Sequence, residues 1–85
     1  MTEETLNQIG FNIVILGLDI PKEDQLETVA EIAVLAELDS TAISYFIIAS
    51  MSALESGYEE WKEVFAMYVI ASGNSELIIN LNKLF

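Results

Sequence analysis

The chain has no cysteine, no histidine and no arginine, a single proline, and only three basic residues: Lys22, Lys62 and Lys83. Each absence removes a class of chemistry. Without cysteine there are no disulfides and no thiolate metal sites. Without histidine the commonest general base and metal ligand is missing, and a serine nucleophile has no imidazole to activate it. Without arginine there is no bidentate clamp for phosphate. Three lysines cannot cover a phosphate backbone or hold the chain to an anionic membrane, so neither direct nucleic-acid binding nor membrane attachment is expected.

Long apolar runs are also missing. The longest uncharged stretches are residues 5–18 and 40–54, both short of the ~18 residues expected of a membrane span. The opening "MTEETL" is acidic where a secretory signal is basic. The expectation is a soluble protein in the cytoplasm.

What is present is acid and hydrocarbon. The 85 residues carry 14 carboxylates and a formal net charge of -11. Hydrophobic residues nevertheless make up 53% of the chain, against roughly 45–50% in ordinary domains. A chain this short buries a modest share of its surface. The excess apolar side chain points to a partner or a second copy, so a homo-oligomer is expected.

The punctuation predicts a compact all-α bundle of four to five short helices joined by tight turns, with residues 1–85 as a single helical domain. Thr2 caps the first helix, with Glu3 and Glu4 in its opening turn and Leu6, Ile9, Ile13 and Leu16 at helical spacing. A competing strand reading of "FNIVILGL" rests on β-branched Ile13, Val14 and Ile15, but no second strand is available to pair with it. Pro21 falls in the first turn of the second helix, which runs to about Leu38 with Leu26, Val29, Ala30, Ala33 and Ala36 on one side.

Asp39 or Ser40 caps the third helix, which ends near Gly57. A fourth follows from about Tyr58 to Ser72, with Trp61, Val64, Phe65 and Tyr68 inward. Ser75 caps a short fifth helix carrying Leu77, Ile78, Leu81 and Leu84. The third helix is uncharged on both faces, which predicts burial all round. Its second face, Tyr45, Ile48, Ala49 and Ser52, is the candidate oligomer contact.

The acids cluster. Glu23, Asp24, Glu27 and Glu31 lie in the first half of the second helix, and Glu59, Glu60 and Glu63 surround Trp61 on the fourth. Opening turns favour acids through the helix dipole, which accounts for about half of the fourteen. The same logic predicts bases in the last turns, and those are almost absent. One sign without the other marks these seven residues as a candidate docking surface for a basic protein, with Trp61 a candidate contact anchor or else core. Solubility is the competing explanation. Glu37 extends the buried line of the second helix, so either the helix frays before it or its carboxylate is partly buried.

No catalytic, metal or cofactor site can be assembled. An EF-hand loop counted from Asp19 would put Pro21 third, Asp24 in place of the central glycine and Ala30 twelfth. Residues 38–43, "LDSTAI", resemble the Asp-Ser-Leu stretch of acyl carrier proteins, themselves acidic helical bundles of about this length. The match covers Asp39 and Ser40, with Thr41 in place of leucine. The resemblance implies Ser40 as the attachment point of a phosphopantetheine arm. That family's following helix is acid-rich, whereas this one is uncharged, and a helix cap explains the same two residues.

The expected function is non-enzymatic: a small acidic protein that binds and modulates or inhibits another macromolecule, its target a basic protein surface such as a nucleic-acid-binding cleft. Small phage inhibitors share this size and charge by analogy only. The alternative is an assembly subunit that associates through its apolar helices.

Overall fold

The structure, a computed structural model, describes residues 2–72. They form four helices: α1 (Glu3–Leu16), α2 (Lys22–Leu35), α3 (Ser40–Ser56) and α4 (Tyr58–Ser72). The fifth helix expected at Ser75, with Leu77, Ile78, Leu81 and Leu84, lies outside the described residues. Sequence neighbours pack in order, α1 on α2, α2 on α3 and α3 on α4, as short connections require.

α1 is a helix despite its β-branched run. The Thr2 hydroxyl accepts the Thr5 N–H at 3.1 Å, satisfying one orphan donor of the first turn. Ile9, Ile13 and Leu16 are buried at the expected spacing. The helix stops at Gly17, whose backbone is right-handed. Glycine suits the close approach there: an added Cβ would meet the Tyr58 ring at 3.3 Å, a tight contact that the ring would have to yield to.

α2 corrects the sequence reading at both ends and in its phase. Pro21 is the N-cap and lies just before the first turn; it offers no side-chain bond. Val29, Ile32, Ala33 and Ala36 are buried, so the inner stripe includes Ile32. Leu26, expected inside, is 45% exposed. The helix stops at Leu35, with Ala36 as its C-cap.

The cause is a Schellman turn. Leu38 N–H donates to the Ala33 carbonyl at 3.2 Å and Glu37 N–H to that of Val34 at 3.0 Å. Glu37 takes the left-handed position, φ 60°. Its side chain is exposed and Leu38 folds back onto the core. Between the two expectations for Glu37, the helix ends before it.

Asp39, rather than Ser40, caps α3, its carboxylate accepting the Ala42 N–H at 2.8 Å. Phe46, Ser50 and Ala53 form the buried stripe. Burial all round does not hold: Tyr45 is 64% and Ile48 69% exposed. Gly57, φ 146°, makes the whole turn into α4, a conformation open in practice to glycine alone.

α4 supplies the aromatic centre. Trp61 stacks on Tyr58 and Phe65, with centroids 6.0 and 5.4 Å away. Phe65 meets Phe46 across the α3–α4 contact at 5.7 Å, and Phe46 meets Tyr68 edge-on at 5.2 Å. Trp61, Phe65 and Val69 are buried. The Tyr58 hydroxyl donates to the Ile13 carbonyl at 2.8 Å, tying the start of α4 to α1. Ser50 Oγ and Trp61 Nε1 are buried and have no hydrogen-bond partner among the described residues.

Candidate functional site

The α1–α2 contact leaves an open groove of ≈ 740 Å³ along its outer side. From α2 it takes Asp24, Glu27 and Glu31, the three acids that 100° spacing places on one face. From α1 it takes Glu4, Phe11 and Ile15, and from the connection Ile20. Asn7, Gln8 and Asn12 add amides. Among the described residues the lining contains no base. It is therefore an open groove, lined mostly by polar residues, that carries four carboxylates beside three apolar side chains, Phe11, Ile15 and Ile20.

The two lysines among the described residues are engaged elsewhere. Lys22 pairs with Glu55 at 3.1 Å. Lys62 pairs with Glu59 at 3.2 Å and sits 4.8 Å above the Tyr58 ring. Exposed pairs of this kind add little stability. Their effect is on the field: neither is among the groove's lining residues, so among the described residues no cation stands beside its four acids.

The remaining expected site residues divide. Glu23 is exposed at the start of α2 and does not line the groove. Glu60 and Glu63 border a separate recess with Ala53, Val64 and Met67, while Glu59 is held by Lys62. Trp61, weighed as a contact anchor, is fully buried and belongs to the core. Tyr45, Ile48 and Ser52 are exposed along α3, with Ala49 half-buried beside them.

Ser40 is exposed in the first turn of α3 and leaves the capping to Asp39. Burial pushes the Tyr58 phenol above its ordinary value of 10.0, and the Glu59 charge adds to this. Tyr58 accordingly stays a proton donor to Ile13 through the neutral range.

The α1 wall was missed from sequence. Glu4 was assigned to the helix dipole, yet Glu4, Gln8, Phe11 and Ile15 recur at spacings of four, three and four, a second stripe beside the core one. An exposed phenylalanine in a row of polar residues was the available signal. Among the described residues no three carboxylates converge on a metal-sized site. Among the same residues no helix is long and apolar enough to cross a membrane. Comparison with family models, curated proteins and solved structures finds no match to this chain.

Proposed function

We propose that the protein is a non-enzymatic interaction module that docks a basic segment or surface of another protein in the α1–α2 groove and modulates or inhibits that partner. One observation supports the reading: Glu4, Asp24, Glu27 and Glu31 line a single open groove with Phe11 and Ile15, and no cation among the described residues lines it. Lysine or arginine stems would lie on Phe11 and Ile15 while their charged heads reach the rim, the usual division of a long basic side chain. A protein that uses such side chains to grip nucleic acid would have its cleft occupied by the acidic groove. Charge would speed the encounter and make it salt-dependent. The absence of cysteine fits a cytoplasmic setting.

The test is a calorimetric titration of an amphipathic lysine-rich helical peptide into the protein. Affinity should fall by roughly tenfold or more between low and high salt, because exposed charges are screened beyond ~10 Å at 0.1 M and ~3 Å at 1 M. The double variant Glu27→Lys, Glu31→Lys should abolish binding and keep the fold. Binding that is indifferent to salt and to both substitutions overturns the proposal.

A further inference from the structure

We propose that the outer face of α3 is a dimer interface with a second copy of this chain, the two helices crossing antiparallel about a two-fold axis between Ile48 and Ala49. This does not depend on the groove.

A chain with net charge -11 repels its own copy wherever acids are presented. Two of the exposed apolar residues on the other helices stand among such acids: Phe11 lines the acidic groove, and Met67 shares a recess with Glu60 and Glu63. α3 has no charge from residue 40 to residue 54. The acid within the helix, Glu55, is paired with Lys22. The face also has the relief that self-pairing needs. A two-fold contact brings residue i against j and j against i. About the midpoint of Ile48 and Ala49, Tyr45 falls on Ser52 of the second copy, and Ile48 on its Ala49. Each large side chain meets a small one. The exposed row of α1, Phe11, Val14 and Leu18, offers three large side chains, Phe11 lines the acidic groove, and Leu18 adjoins Asp19 in sequence.

Sedimentation over a concentration series tests this, with Ile48→Lys and the control Val14→Lys, both exposed positions whose substitution spares the core. The wild type should sediment as a dimer that tightens with added salt, the reverse of the groove's response. Ile48→Lys, present twice in a symmetric contact, should weaken the dimer by roughly a hundred-fold or more, and Val14→Lys should leave it intact. Because the chain lacks cysteine, Ala49→Cys should give a disulfide-linked dimer on air oxidation, and Glu31→Cys should not. A wild-type monomer at every concentration overturns the proposal. If Ile48→Lys then also lowers the melting temperature, residues 73–85 of the same chain cover the face. A dimer that Val14→Lys breaks and Ile48→Lys spares also overturns it, as does one that loosens with salt.

Discussion

The α1–α2 pair and the α3–α4 pair are built from different materials. The first joins aliphatic residues, Ile9, Ile13, Val29 and Ile32, and leaves an acid-edged trough outside. The second joins aromatics, Phe46, Trp61, Phe65 and Tyr68, and leaves a neutral helix face outside. The acid-edged groove lies beside the part of the core with smaller side chains; over the rings the outer face of α3 is neutral, while α4 carries Glu59, Glu60 and Glu63. Stability and recognition are therefore expected to be separable: the groove acids are exposed, while the rings of Phe46, Trp61 and Phe65 are fully buried and pack on one another.

The sharpest way to break that contrast is to exchange the two kinds of residue in one experiment. Trp61→Ala removes a fully buried ring that stacks on both Tyr58 and Phe65. A loss of about 3–5 kcal/mol is expected, a large fraction of the ~5–15 kcal/mol that holds a typical domain together. Urea unfolding followed by far-UV circular dichroism reads it. The paired variant Glu27→Lys, Glu31→Lys should hold its midpoint or raise it, since it lowers the net repulsion. Equal losses for both would mean that groove and core are one structural unit.

A smaller effect tests the tie between the halves. Tyr58→Phe deletes the hydroxyl that donates to Ile13 and should cost about 1 kcal/mol. It should also change the alkaline limb. The folded-state pKa of Tyr58 is raised above 10.0 by burial and by Glu59. The unfolded chain therefore ionises first, and the phenol's contribution, intact below pH ~10, is lost as pH climbs through the folded value. Thermal melts across that range should show a steeper decline for the wild type than for Tyr58→Phe. Parallel declines would remove Tyr58 as the cause.

The helical class and most boundaries were legible in the sequence because caps and spacing are local. Thr2, Asp39 and Gly57 act where local rules put them, and the Trp61–Phe65 stripe follows from a period of 3.6. What was not legible depends on contacts between distant residues. The ring of Tyr58 against Gly17 joins positions forty-one residues apart, and no pattern within α1 announces it. The groove needs two helix faces brought together, so its α2 acids were readable as a row and its α1 wall was not. Ile48 and Tyr45 looked buried because an uncharged helix is usually surrounded, yet the described helices cover only one side of it.

The corner between the halves carries the smallest prediction. It turns on Glu37, a non-glycine residue at φ 60° where the Schellman turn favours glycine. The exposed side chain makes no hydrogen bond or ion pair among the described residues to offset the strain of the left-handed backbone, about 1–2 kcal/mol. Glycine would relieve that strain but enlarge the freedom of the unfolded chain, which takes back part of the gain. Glu37→Gly should therefore stabilise by about 0.5–1 kcal/mol, read as a higher urea midpoint with unchanged slope. Glu37→Ala removes the charge and keeps the strain, so it should stay near the wild type. If alanine gains as much as glycine, the relief comes from removing one of fourteen acids rather than from the backbone, and repulsion reaches the corner as well as the groove.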